Sequence, residues 1–424
     1  MSTAADLCAY IAASPTPHHA VDTSMRRLGE AGFTTLDERD RWPDGPGNFM
    51  VARHGSLVAW RQPAHLDPHG GIRLVGAHTD SPNLRLKPHP DMADTTPGHW
   101  RQVAVETYGG VLWNSWLDRD LGIAGVVVVA DGTDMRQVLV RIDEPWLRIP
   151  QLAIHLDRDV NSAGLRLDPQ RHLTPVWGVG TGPGIVAAVA AAAGLDAGQV
   201  VASQLMLHDL AAPAIAGGDG EFVASARIDN LLSCWAAVTA LAGGDHRSDA
   251  MPMVCLYDHE EVGSVSATGA GSTLASDVIG RIATTAGLDA QDATRLRASS
   301  RAVSADGAHA AHPNYPERHD PAHTITIDGG VVVKHNANQR YATEATGTAW
   351  LRSVADGAGV PLQDFVMRND MPCGSTIGPI SAAALGITTV DIGVSQLAMH
   401  SVREMCGSRD AERLVTLLDA VLAG

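Results

Sequence analysis

Aromatic side chains are scarce in this chain, 4% of 424 residues, and basic ones are outnumbered: 31 Lys and Arg stand against 47 Asp and Glu, for a formal charge of −16. The first shortage argues against an aromatic-rich binding surface and, with abundant alanine and glycine, suits helices packed closely on a sheet. The second argues against nucleic acid or an anionic membrane as partner, because phosphate binding draws on clustered Lys and Arg. Cysteine is thinly spread. Cys8, Cys234, Cys255, Cys373 and Cys406 are odd in number and form no C-x-x-C pair, so neither a disulfide framework nor a zinc–thiolate ribbon is expected, and a reducing cytoplasm fits. The longest apolar run, Gly184 to Leu195, is too short for a bilayer core of ~30 Å. Met1 to Ser14 carries no basic segment ahead of its short apolar stretch, so neither secretion nor membrane insertion is expected. The H-E-x-x-H zinc signature, internal repeats and low-complexity tracts are also absent.

What the chain does have is length for two domains and a hydrophobic fraction of 45%, the composition of an ordinary globular protein. Residues 5 to 31 carry apolar positions at helical spacing (Leu7, Ile11, Val21, Met25, Leu28), broken at Ser14 to Pro17. Phe49 to Arg53 and Leu57 to Arg61 flank His54-Gly55-Ser56 as a hairpin would, and Ile72 to Ala77 reads as a buried central strand. From Ser225 onward the texture alternates: helix Leu231 to Leu241, strand Met253 to Tyr257, helix Ser272 to Ala286, strand Val331 to Lys334, helix Ala342 to Ala358, strand Thr388 to Ile392, helix Asp410 to Leu422. That alternation predicts an α/β fold, a mostly parallel sheet with helices on both faces. Between lie β-branched runs (Gln102 to Glu106, Ile123 to Ala130, Val138 to Ile142) and a polar loop, Asp157 to Pro175. They predict an inserted β-rich domain over 87–211, so that the catalytic domain is discontinuous, 1–86 and 212–424.

Charge sits where burial makes it costly. Glu260-Glu261 ends the apolar strand Met253 to Tyr257; His78 follows Ile72 to Ala77, Asp306 follows Val303-Ser304-Ala305, Asp229 precedes a helix, and His400 lies beyond Thr389 to Gly393. Alone, each has a bland reading: a histidine after a strand is more often a hydrogen-bonded core residue, an aspartate a cap or turn former. Together they look like a metal site, with His78, Glu260-Glu261 and Asp306 each at a strand end where an open α/β sheet gathers its ligands. Imidazole and carboxylate without thiolate suit Zn²⁺, with Mn²⁺ or Co²⁺ also compatible, and two ions ~3.5–4 Å apart need a bridging carboxylate, for which Asp229 is the natural choice. Two adjacent glutamates cannot share one face of a regular strand, yet at an irregular end one can ligate while the other takes a proton from water. Which does which stays open at this level.

The longer motifs resemble the aspartyl aminopeptidase family of co-catalytic dizinc metallopeptidases, metallopeptidase family 18. Gly76-Ala77-His78-Thr79-Asp80-Ser81-Pro82-Asn83 looks like its first metal motif. Trp116 to Leu121, Arg148 to Leu156, Asp229-Asn230, Glu260 to Ser264, Ser304 to His309 with His312 to Tyr315, Asn338 to Thr343 and Gln396 to Glu404 follow in the family's order. The resemblance implies that His78 and Asp306 hold one zinc, Glu261 and His400 the other, that Asp229 bridges them, and that Glu260 is the general base. It implies release of an N-terminal Asp or Glu from peptides, with Lys334, Tyr341 and His309 contacting substrate and His155 contributed by the partner subunit. It further implies that the inserted domain dimerises the chain and that dimers build a dodecamer. Lys334 would then answer the charge: at −16 the protein repels acidic peptides at long range, so one desolvated cation in the pocket must select them. A related dizinc amidohydrolase acting on N-acyl or other amides would share the metals and base and differ in not needing a free α-amine. A non-catalytic peptide-binding protein would rest on Gly178 to Gly184, which lacks both the G-x-G-x-x-G order and a phosphate-loop lysine.

Overall fold

In the computed structural model, the structure describes residues 2–93, 97–244, 246 and 249–424; Met1, at the head of the N-terminal stretch, and residues 94–96 of the inserted range lie outside them. The chain forms two compact units, one of Met1–Asp80, Pro213–Met399 and Glu404–Gly424, the other of Ser81–Ala212 with His400–Arg403.

The first unit is built on a nine-stranded sheet. At its centre Ile72–His78 runs parallel to Met251–Tyr257 on one side and to Arg301–Ala305 on the other, and Arg301–Ala305 runs parallel to Thr388–Gly393. All seven residues of Met251–Tyr257 are buried, as expected of an apolar run covered on both faces. Side chains alternate across the sheet. Ala77, Leu256 and Ala305 pack with the helices Thr3–Ala13, Pro17–Glu30 and Ser408–Ala423, while Leu74, Cys255 and Ala302 pack with Leu274–Thr285 and Ile377–Leu385 on the other face. The sheet is mixed at its edges: the hairpin Gly47–Arg53/Ser56–Gln62 and the pair Val331–His335/Thr388–Gly393 are antiparallel. A five-stranded sheet in the same unit carries Phe222–Ser225, Glu404–Gly407, Ser395–Leu397 and Ala308–His309.

Several elements were not expected. The helix Ala290–Ser299 buries one side chain, Leu296, so it shows no apolar periodicity. Ile377–Leu385 is short and follows a Gly/Ser segment, and Val160–Ala163 is a single turn inside the polar loop. The helix expected from Ala342 starts at Ala345, and the Ala342 amide ahead of it donates to Asp391.

The second unit is a six-stranded sheet whose strands pair antiparallel throughout, with the hairpin Leu121–Asp131/Asp134–Leu147 at one edge. Its core gathers Leu84, Ile123, Val127, Ile142 and Leu205 with Ile185 and Val189 of a short helix. The strand Asn83–Asp91 belongs to this sheet, pairing Asn83 with Tyr108, which is why the unit opens at Ser81.

Candidate metal centre

Three parallel strands in register bring their carboxyl ends together, Tyr257 opposite His78 and Ser304 opposite Gly76. His78 is the last residue of its strand and is buried. Its Nδ1 stands 3.0 Å from the Asp80 carbonyl oxygen and 3.4 Å from Asp80 Oδ1. Both neighbours are acceptors, so Nδ1 holds a proton and Nε2 is the nitrogen a metal could take. That Nε2 faces two carboxylates, Asp229 Oδ1 and Asp306 Oδ1, each at 3.4 Å.

Beyond Tyr257 the backbone leaves the strand: His259 takes φ 64°, Glu260–Val262 form one 3₁₀ turn, and Gly263 and Ser264 follow at φ 96° and 62°. This irregular end lets the paired glutamates point differently. Asp80, fully buried, fixes the turn by accepting the amides of Glu260 and Glu261 on its two oxygens, each at 3.0 Å. Asp229 precedes the regular part of its helix, its own backbone and that of Asn230 being non-helical, and the bond between them is cis. The Asp229 amide donates to Glu404 Oε2 at 3.0 Å, and the Asn230 side chain donates to the Ala305 carbonyl at 2.8 Å.

Of the five expected ligands, His78, Asp229 and Glu261 offer atoms that all lie within 4.8 Å of one another; Asp306 joins through His78. His400 belongs with the second unit, at φ 68°, with Nδ1 3.0 Å from the Gly110 carbonyl oxygen. Five carboxylates, Asp80, Asp229, Glu260, Glu261 and Asp306, thus crowd around one imidazole and one lysine. Burial pushes the His78 imidazole down, but Asp229, Asp306 and Asp80 more than reverse this and hold it well above its ordinary value. Burial also pushes Glu260 up to about 8, opposed by His78 and reinforced by Asp306, Asp80 and Asp229. So much buried negative charge, on imidazole and carboxylate donors, is the environment of a divalent cation, and the residues fit zinc.

Among the expected substrate contacts, Lys334 is 1% exposed. Its Nζ donates to the Gly307 carbonyl at 2.8 Å, lies 3.3 Å from Asp306 Oδ2 and sits 5.2 Å from the Tyr341 ring centroid. Tyr341 is buried and packs on Phe365, which also meets the exposed His309 edge-on at 6.3 Å. His155 is exposed, in a turn of the second unit rather than a strand. Sequence reading assigned no role to Asp80, although a carboxylate two residues after a ligand histidine is a recurring orienting pattern, nor to Glu404, whose signal is a charge opening a buried strand.

The model of the aminopeptidase I zinc metalloproteases (M18) matches residues 10–421. A probable M18 family aminopeptidase 2 from Streptomyces avermitilis is 49% identical over 426 residues, spanning 99% of this chain and 97% of that protein. Among solved structures, that of the Ape4 and Nbr1 complex superposes with a TM-score of 0.93 at 37% identity, covering 99% of this chain and 85% of that one. The S. cerevisiae mApe1 dodecamer gives 0.86 at 28% identity, covering 98% and 95%. With imidazole and carboxylate side chains that could hold a metal converging at the ends of its central parallel strands, and the family's match along almost its whole length, the chain belongs to the M18 family of zinc metalloproteases and is a metallo-aminopeptidase.

Proposed function

We propose that the protein binds two zinc ions and removes an N-terminal Asp or Glu from peptides. The observation that carries this is the convergence of His78, Asp229 and Glu261, with Asp306 on the same His78 nitrogen. In this reading His78 and Asp306 hold one zinc, Glu261 and His400 the other, and Asp229 bridges; His400 is supplied by motif order. Bound zinc lowers the pKa of water toward ~7 and acts as a Lewis acid on the scissile carbonyl. Glu260 takes the proton from the attacking water and delivers it to the leaving amine. Its upward shift without cations is removed by them, since positive charge beside a carboxylate favours the ionised form.

Lys334 selects the acidic side chain. Two acceptors engage its ammonium, and a third N–H of the group can donate to a substrate carboxylate. In so buried a place that pairing is far stronger than at the surface. Tyr341 and His309 complete the contacts, with His155 of the partner subunit. Support for such a partner is the exposed apolar run around His155: Leu152, Ile154 and Leu156 are 58%, 47% and 74% exposed, more than a monomer surface favours in one short stretch. We assign the 1–86 and 212–424 segments to catalysis and 87–211 to dimerisation, with a dodecamer built from six dimers as the final assembly. The five free cysteines suit a reducing cytoplasm, and among the described residues no helix is long and apolar enough to cross a membrane.

The test is metal content. Wild-type protein should hold two zinc ions per chain after dialysis, and Asp229→Asn should lose both together, because the shared ligand couples the sites. A variant retaining two tightly held ions would place the bridge elsewhere.

A further inference from the structure

The Asp391 carboxylate is fully buried in the middle of Thr388–Gly393 and takes no part in the chemistry described above. That strand lies between the one leading to Asp306 and the one carrying Lys334. Asp391 Oδ2 accepts the Ala342 amide at 2.6 Å, directly after Tyr341 in the chain. Oδ1 accepts the Thr376 hydroxyl at 2.6 Å. The Asp391 amide in turn donates to Thr343 Oγ1 at 2.9 Å. Thr376 caps the helix Ile377–Leu385 through the Gly378 amide, at 3.1 Å. A Cβ on Gly378 would stand 2.2 Å from Asp391 Oδ2, so only glycine allows the helix start to approach the carboxylate so closely.

The segment ahead of that helix returns to the same tyrosine. Cys373 packs on the cluster of Tyr341 and Phe365, and the Ser375 hydroxyl donates to the Arg340 carbonyl at 3.3 Å. The buried carboxylate therefore holds the backbone just after Tyr341, the ring that lies against Lys334, and through Thr376 it holds the segment whose Ser375 reaches the Arg340 carbonyl just before it. The glycine-containing stretch Met371 to Gly378 acquires its place here: it is the wall that Asp391 fastens behind Tyr341.

We infer that Asp391, acting through Thr376 and the Ala342 amide, is a positioning residue for acidic-substrate selection, holding Tyr341 and the Cys373–Thr376 wall in place around Lys334. The inference rests on the reading of Lys334 as the acid-selecting cation. Its physical basis is pre-organisation: a pocket that must seat one carboxylate against one buried ammonium gains discrimination from walls that do not have to be ordered on binding.

Replacing Asp391 itself would also remove a negative charge that attracts Lys334, which by itself strengthens acid binding, so the informative position is Thr376. Thr376→Val keeps the shape and removes the hydroxyl; Thr376→Ser restores it. The measurement is kcat and KM for zinc-loaded enzyme on otherwise identical peptides beginning with Asp or Leu, alongside thermal melting. We expect Thr376→Val to raise KM for the Asp peptide roughly threefold to tenfold, the worth of one hydrogen bond, with kcat changed less than twofold and the Leu peptide little affected. Thr376→Ser should return the ratio to within about twofold of wild type. An Asp-to-Leu ratio unchanged in Thr376→Val, or an equal loss on both peptides that merely tracks a lower melting temperature, would overturn the positioning role while leaving Lys334 selection intact. A wild-type enzyme that prefers Leu would overturn both.

Discussion

Asp80 shows how much of this site depends on residues that never meet substrate. Its backbone carbonyl meets His78 Nδ1 at 3.0 Å, with Oδ1 at 3.4 Å, and its buried carboxylate accepts two consecutive amides, so that one residue orients His78, Glu260 and Glu261. In the proposed mechanism, with orientation supplied there, Glu260 handles the proton alone. Glu260→Gln should therefore keep both metals, since no ligand is lost, and reduce kcat by at least about a hundredfold, the usual contribution of a placed acid or base. Metal analysis beside a single-turnover assay checks this; full turnover, or loss of a zinc ion, would reassign the glutamates. The convergence of His78, Asp229 and Glu261 had a signal in the sequence: His78 and Glu261 are polar positions at the end of apolar runs, where burial makes charge costly. Asp80 and Asp391 were not legible: one depends on a turn whose φ values no spacing announces, the other sits inside Thr389-Val390-Asp391-Ile392 and looks like any polar residue in a strand.

The first two helices and the long helix Ile228–Gly243 are joined by one polar cluster at the edge of an otherwise apolar packing. Asp6 accepts from Arg27 through both oxygens, at 2.7 and 3.0 Å, and from the indole N–H of the buried Trp235 at 2.7 Å. Burial pushes the Asp6 carboxyl up, but the hydrogen bonds from Arg27 and Trp235 and the Arg27 charge outweigh it, so its pKa is lowered on folding. A group depressed in this way stabilises the fold above its unfolded value, near about 4, and the contribution is lost as pH falls through the lower folded value. Asp6 is 36% exposed, so solvent screening reduces the worth of the cluster to about 1 kcal/mol. Urea melts of Asp6→Asn against wild type should differ by that amount at pH 7 and converge as pH drops below about 4; a gap that is constant with pH would mean the loss is packing alone. At this scale the sequence was most readable where periodicity was strong, as in both helices here, and least where an element buries almost nothing. Ala290–Ser299, resting on Leu296 alone, left no apolar stripe to find.

For the whole molecule, the proposed donation of His155 across a dimer makes a prediction that no single-chain account shares. His155→Ala impairs the site of the neighbour, while Glu260→Gln impairs the site of its own chain. Coexpressed, the two variants should regain activity: half the pairs are mixed, one site in each is complete, and the yield is roughly a quarter of wild type. Activity no higher than the sum of the separate variants would show that each chain completes its own site.

In the proposed function a strongly acidic protein uses one buried lysine to select acidic N-termini. The direct measurement is kcat/KM of the zinc-loaded enzyme for release of Asp, Glu and Leu from otherwise identical peptides, with free and acetylated α-amines, in wild type and Lys334→Met. Expected are fast release of free Asp or Glu, little of Leu, none from acetylated peptides, and a loss in Lys334→Met confined to the acidic substrates. Preference for Leu, or an equal loss on all substrates in Lys334→Met, would contradict it.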